Sequence, residues 1–303
     1  MAELVPRVWR LCELAAASNI SLTIDAEEVG RLELSLDVFE ALAVRVARHC
    51  PQWRGFGLAL QPYQSRGLEL VEHVVGIARK HELRLMCRLV KGAYRDSEIK
   101  RAQEMDLPHY PVFTHKHHTD VSYLACAAAL LAAPDAVYPQ FAGHDAGTIA
   151  AILQMADLLP RPSGERAGVR APRVELQRLH GMGEGIFREV LKNPHIACRV
   201  YAPVGAHRDL LAYLVRRLLE NRANFILRAS ARRRIGRHGR AADIAAAPGP
   251  RSLLAAAARA LGTRSRQQPG AGLDGARQAR AAVRGFQRGA SARGAGVRCQ
   301  IGR

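Results

Sequence analysis

Arg84-Leu-Met-Cys-Arg-Leu-Val-Lys-Gly-Ala-Tyr94 opens as a strand, Arg84 to Val90, and runs straight into a cation, a glycine and an aromatic. A buried strand does not carry an arginine such as Arg88 unless the charge is paired or sits at the strand end. The segment therefore delivers Arg88 and Lys91 to a strand end, where two cations suit an anionic group or a reduced flavin ring. Gly92 permits close approach of backbone to a ligand. An equally weighted reading makes Arg88 the structural partner of a strand-end carboxylate such as Asp25.

Similar short strands lie on both sides of this one. Ile20 to Asp25 (ISLTID) and Phe56 to Gln61 (FGLALQ) precede it. Tyr138 to Phe141, Val174 to Leu179 and Cys198 to Tyr201 follow. Helical spacing of apolar residues fills the intervals: Ala26 to Val46, Gly67 to Lys80, Val121 to Leu131, Thr148 to Leu158, Gly185 to Leu191 and Leu210 to Asn221. Met1 to Ser18 reads as a further amphipathic helix. Strands alternating with helices, one unit per roughly 33 residues, predict βαβ units and a parallel sheet.

Both a doubly wound sheet and a barrel fit that rhythm. No Gly-x-Gly-x-x-Gly turn follows the first strand, so the dinucleotide fingerprint is missing. Nearly every strand ends in polar groups: Asp25, Gln61, Arg88 with Lys91, His144, His180, Tyr201. Barrels gather their chemistry at the C-terminal strand ends. The expected fold is α/β, a distorted (β/α)8 TIM-type barrel. Eight strands close such a barrel and six are legible, so the barrel is expected to be incomplete at its N-terminus. The expected organisation is a helix over 1–19, a barrel portion over 20–224 and a separate tail over 225–303.

Charge separates that tail from the body. The 303 residues carry 45 Lys+Arg against 27 Asp+Glu, a formal +18. Residues 225–303 hold 17 Arg, no Lys and two acids (Asp243, Asp274), so +15 belongs to the tail and +3 to the body. A basic surface that recruits nucleic acid is therefore no property of the barrel. The tail, rich in Ala and Gly with only Phe225 and Phe286 as aromatics, is expected to be disordered. Its composition is that of GC-rich DNA read out of frame, and a frameshift near Asn224 is expected. Sequencing that finds no continuation of the body's pattern in the other frames would remove this idea. The competing reading is a basic arm binding nucleic acid or acidic membrane.

Other classes are excluded. The longest apolar stretch, Tyr123 to Pro134, is short of the ~20 residues that span a bilayer. Charges inside the N-terminal pattern leave no secretory core. Six cysteines without a C-x-x-C pair suit a reduced, cytoplasmic setting.

Three further clusters carry candidate chemistry. Arg216 and Glu220 share a helix face at i,i+4, with Arg217 about 100° away. Two guanidiniums can clamp a carboxylate bidentately, or simply form a solvated face. Leu179-His-Gly-Met-Gly-Glu184 is a strand end leading through two glycines into a helix, suited to a phosphate or to a plain tight turn. His115-Lys-His-His118 lacks a third placed ligand group, so no metal is expected. Thr114, Lys116 and Thr119 there are candidate anion contacts. His144-Asp145 at another strand end reads as a ligand contact rather than a local turn.

These residues carry a resemblance. Arg88 to Gln103 (RLVKGAYRDSEIKRAQ), Thr23 to Leu36 (TIDAEEVGRLELSL) and Thr119 to Cys126 (TDVSYLAC) resemble the proline dehydrogenase domain of the bifunctional proline-utilisation flavoenzymes. So do Leu179 to Glu184 (LHGMGE), Val200 to Gly205 (VYAPVG) and Leu210 to Asn221 (LLAYLVRRLLEN). The resemblance implies a distorted barrel holding FAD. It implies oxidation of L-proline to 1-pyrroline-5-carboxylate, with electrons passed to a quinone at the inner face of a membrane, by a cytoplasmic protein that associates peripherally.

By that resemblance Arg216 and Arg217, with Glu220, hold the proline carboxylate. Tyr94, Tyr201 and Leu179 wall the substrate, and Asp25 pairs into its pocket. Arg88 lies by the flavin. Gln61, Val90, Gly92, Lys116, His144 and Gln177 fall on FAD-contact positions, and the expected cofactor set adds Lys91, Ala93, Thr114, Thr119, Leu179, Tyr201 and Glu220.

The chain departs from the pattern at Arg95, where the family has Trp, at Phe141 to Asp145 (FAGHD), at His115 and at Arg222. By the same resemblance, the family's first strands, its aldehyde dehydrogenase domain and its DNA-binding region are expected to have no counterpart in this sequence. An open barrel edge implies lowered stability and weak FAD retention. The alternatives are a catalytically inactive remnant, a nucleic-acid-binding fragment acting through the tail, or an unrelated phosphate-binding barrel using the HGMGE turn.

Overall fold

The computed structural model describes residues 1–158, 174–206, 208, 210, 211 and 215. Among the described residues six strands run β1 (Leu22–Ile24), β2 (Phe56–Leu60), β3 (Leu85–Leu89), β4 (Val137–Ala142), β5 (Glu175–Leu179) and β6 (Ala197–Tyr201). All neighbours pair in parallel, in the consecutive order β1 to β6. A doubly wound sheet reverses its order at a switch point, whereas a barrel adds strands in sequence. The fold is accordingly α/β, a curled parallel half-barrel. β1 and β6 are its edges among the described residues.

Among the described residues these α-helices connect or cover the strands: α1 (Leu4–Ala17), α2 (Leu32–His49), α3 (Gly67–Lys80), α4 (Arg95–Glu104), α5 (Lys116–Leu131), α6 (Ala146–Leu158) and α7 (Glu184–Val190). All six expected strands are present, and α3 spans the residues expected of it. Two helices start elsewhere. The span from Ala26 is extended, then a 3-10 turn at Val29–Arg31, before α2 begins. α5 begins at Lys116, because its first turn, KHHT, has no apolar residue for periodicity to detect. α4 was legible only as motif, since Ile99 and Ala102 are its sole apolar residues.

Register explains why these strands are mixed in character. Partners in a parallel pair point to one side of the sheet. Ile24, Leu58 and Cys87 form one row, and Leu89 and Phe141 pair in the next. They join the core under the helices, with Leu42, Val46, Val74 and Leu130. Phe39 of α2 is fully buried and stacks on Phe56, ring centroids 4.9 Å apart. The alternate row, Ala59, Arg88, Gln140 and Glu175, faces the barrel interior. One face thus builds the core by excluding water. The other is left free for polar side chains.

Three described glycines have a positive φ that would strain a side chain, and two of them hold turns beside the strand ends. Gly92 has φ +112°, and a Cβ there would collide with the ring of buried Tyr63. Gly183, φ +67°, turns the chain from β5 into α7. The described cysteines are all free thiols. Burial pushes the Cys87 and Cys126 thiols up to about 12. No described helix is long and apolar enough to cross a membrane. Arg216, Arg217, Glu220, Arg222 and the tail 225–303 lie outside the described residues.

Candidate active site

Arg88 reaches inward from β3 and donates from Nη1 to Asp25 Oδ1 at 2.8 Å. Asp25 follows β1 directly, so the ion pair ties the ends of two strands 63 positions apart. Of the two readings of Arg88, the structural pairing is present. It does not use the whole side chain, because the buried Nε finds no hydrogen-bond partner among the described residues. A guanidinium with one donor committed and another idle is held in orientation toward a further acceptor.

Glu27, which sequence reasoning passed over, organises the next contacts. Tyr94 Oη donates to Glu27 Oε2 at 2.8 Å, and Gln61 Nε2 donates to the Glu27 carbonyl at 2.8 Å. Val90 N donates to Leu60 O at 3.0 Å, which extends the β2–β3 pairing up to Lys91. Lys91 Nζ then meets Asp120 Oδ1 at 2.6 Å, and Lys116 meets Asp120 Oδ2 at 3.0 Å. Asp120 is the second residue that spacing did not single out. It sets two cations side by side near the strand ends. Ala93 follows Gly92 in the turn between β3 and α4, and Thr114 lies just before α5. Thr119 is buried in the first turn of α5, its Oγ1 unpartnered among the described residues.

Asp145 corrects one expectation. Its Oδ1 accepts from Thr148 N at 2.8 Å and Thr148 Oγ1 at 2.7 Å, an N-terminal cap on α6. Burial works to raise its carboxyl, but the two Thr148 hydrogen bonds, with Lys91 and Lys116 nearby, hold it below the usual carboxylate range. The local turn reading of Asp145 is the one present. His144 precedes it at the end of β4.

At β5 and β6 the inner row continues through Gln177 with Arg199, then Leu179 with Tyr201. Tyr201 O accepts from His180 N at 2.8 Å, fixing the turn into α7. Gln177 is 1% exposed and its Oε1 has no partner among the described residues. The described part of the site thus brings together Asp25, Gln61, Arg88, Lys91, Gly92, Tyr94, Gln177, Leu179 and Tyr201 at one end of the half-barrel. The expected carboxylate clamp, Arg216 and Arg217 with Glu220, lies outside the described residues. The His115, His117 and His118 rings pack on one another, and no group of three or more metal-ligating side chains occurs among the described residues.

Polar groups at the C-terminal ends of parallel strands, with idle donors and acceptors, make a site for a heteroatom-rich ligand. The proline dehydrogenase family profile matches residues 2–226. The chain belongs to the proline dehydrogenase family. Bifunctional protein PutA of Salmonella typhimurium is 50% identical over 232 residues, covering 74% of this chain and 16% of that protein. PutA of Rhizobium meliloti is 47% identical over 226 residues, 74% of this chain and 18% of the relative. The chain therefore spans about a sixth of the length of those curated relatives.

Solved structures agree. A crystal structure of a Bradyrhizobium japonicum proline utilization A variant is 51% identical with a TM-score of 0.66, over 73% of this chain and 22% of that one. Proline utilization A from Bdellovibrio bacteriovorus, inactivated by N-propargylglycine, is 33% identical with a TM-score of 0.64, over 72% and 22%.

Proposed function

We propose that this chain oxidises L-proline to 1-pyrroline-5-carboxylate with FAD as its cofactor, and passes the electrons to a quinone. The observation that carries the reading is the pairing of idle polar atoms on the inner face. Arg88 Nε is a buried donor and Gln177 Oε1 a buried acceptor, both without partners among the described residues. Buried polar groups are nearly always hydrogen-bonded, so these two, with Gln140 Oε1 on the same inner face, call for a ligand offering both kinds of group. An isoalloxazine ring offers both.

FAD, when bound, supplies the acceptor for the hydride removed from the substrate ring carbon next to nitrogen. The chain's residues do the rest. Arg88, held by Asp25, would turn a positive charge toward the flavin ring, which favours its reduced form. Lys91 and Lys116, aligned by Asp120, suit the cofactor's phosphates. Tyr94, Leu179 and Tyr201 wall the substrate, and Arg216 and Arg217 with Glu220 orient its carboxylate. Gln61, Val90, Ala93, Thr114, Thr119 and His144 complete the cofactor contacts. The setting is cytoplasmic, with the quinone met at the inner face of a membrane.

Anaerobic addition of L-proline to the purified chain with FAD tests this. Bleaching of the flavin visible band is expected. A bound flavin that proline leaves unchanged refutes the substrate, and a chain that takes up no FAD refutes the cofactor.

A further inference from the structure

Glu175, on β5, is buried on the inner face, and four hydrogen bonds converge on its carboxylate. Its Oε1 accepts from Gln177 Nε2 at 2.7 Å, Gln140 Nε2 at 2.9 Å and Arg199 Nε at 3.0 Å. Its Oε2 accepts from Arg199 Nη2 at 2.9 Å. The Glu175 hydrogen bonds in turn raise the basicity of the Arg199 guanidinium. An ionised carboxylate only accepts. Each glutamine must therefore present its NH2 to Glu175 and turn its carbonyl oxygen away. Flipping either amide would set an oxygen against the carboxylate at hydrogen-bond distance. The consequence is visible at the other end of both side chains. Gln140 and Gln177 are each 1% exposed, and the Oε1 of each is without a partner among the described residues.

We propose that Glu175 is a positioning residue for the cofactor: it locks the Gln177 amide so that a bare carbonyl oxygen is offered to an N–H of the flavin ring. The inference rests on the flavin reading given above. Arg199 has two jobs in this arrangement. It pairs bidentately with the Glu175 carboxylate and so fixes its plane, and its Nη2 takes up Oε2, the oxygen that the glutamines do not use. The same amide turned the other way would offer NH2. It would then meet the single ring N–H of oxidised flavin donor to donor. Glu175 thus decides which hydrogen bond Gln177 can make without touching the ligand itself.

The test compares wild type with Glu175→Gln, Glu175→Asp and Gln177→Leu. In the apoprotein, side-chain amide protons of Gln140 and Gln177 are expected to be shifted and protected from exchange by NMR. Glu175→Gln is expected to lose that protection. FAD affinity, read by fluorescence quenching, is expected to fall about tenfold in Glu175→Gln and Gln177→Leu, the scale of one hydrogen bond. Glu175→Asp recovers part of it. The imide nitrogen resonance of bound 15N-labelled FAD moves toward its free-solution position in Glu175→Gln. The KM for proline at saturating FAD stays at the wild-type value. Wild type that binds FAD while Glu175→Gln matches it in affinity and resonance overturns this inference alone. Should Glu175→Gln not fold, Gln177→Leu with unchanged FAD affinity overturns it equally. Wild type that takes up no FAD overturns the flavin reading and this inference with it.

Discussion

Replacing Gly92 with alanine strikes the turn that carries Lys91, Ala93 and Tyr94 into the site. Two costs add. Backbone at φ +112° is unfavourable for an L side chain, at about 1–2 kcal/mol. The new Cβ also collides with the Tyr63 ring, which is 1% exposed and cannot swing into solvent. Forcing one extra carbon into a close-packed site costs about 1–3 kcal/mol. The expected loss is about 3 kcal/mol for Gly92→Ala, a fall in melting temperature of roughly 6–12 °C for a domain of this size. Urea unfolding followed by circular dichroism measures it. A double-mutant cycle with Tyr63→Ala separates the two costs, since removing the ring should relieve the collision and leave the backbone term. A loss under about 0.5 kcal/mol would refute the reasoning, because that is the ordinary scatter of a surface change. So would a loss unaltered in the Tyr63→Ala background, which would mean the ring does not oppose the new carbon.

Two further predictions concern stability. Asp145→Ala removes the cap on α6 and is expected to cost about 1 kcal/mol at pH 7. The Asp145 carboxyl is lowered in the fold, so its contribution is full above the ordinary value of 3.8 and is lost as pH falls through the lower folded value. The gap between wild type and variant in urea midpoint should therefore narrow in acid. A gap that widens there would sink the assignment. Phe39→Ala empties a fully buried site stacked on Phe56 and is expected to cost about 3–5 kcal/mol. Chemical denaturation showing under 1 kcal/mol would mean that the core is not built around this pair.

The legible part of the fold followed from solvent exposure alone. Strands such as Leu85–Leu89 announce themselves because one face must be apolar and the chain alternates by twos. α3 announces itself because eight of its residues are buried along one stripe. α4 has no such stripe. Its anchor is a long-range contact: Glu98, 4% exposed, accepts from Val29 N at 2.7 Å. Nothing in the local sequence around Glu98 reveals a partner 69 residues away. The site divides in the same way. Arg88 and Lys91 stood out because charge at a strand end demands an explanation. Glu27, Asp120 and Glu175 did not, because a carboxylate on a helix, a strand or the segment between them is ordinary until its partners are known. Gln140, Glu175, Gln177 and Arg199 did leave a weak signal, polar residues at alternate strand positions.

What the amino-acid order determined by itself was periodicity, strand-end chemistry and membership of a family: strands alternating with helices, a parallel sheet and polar groups at the strand ends. Those depend on neighbours two to four positions away and on side-chain chemistry. The tertiary structure decided pairing. Asp25 on Arg88, Asp120 between two lysines and four donors on Glu175 join residues 24 to 63 positions apart, apart from the lysine and glutamine that lie close to their own carboxylates. Such contacts form only after the sheet has curled and water has left its apolar face. A carboxylate in the low-dielectric interior then binds whichever donors the register sets beside it.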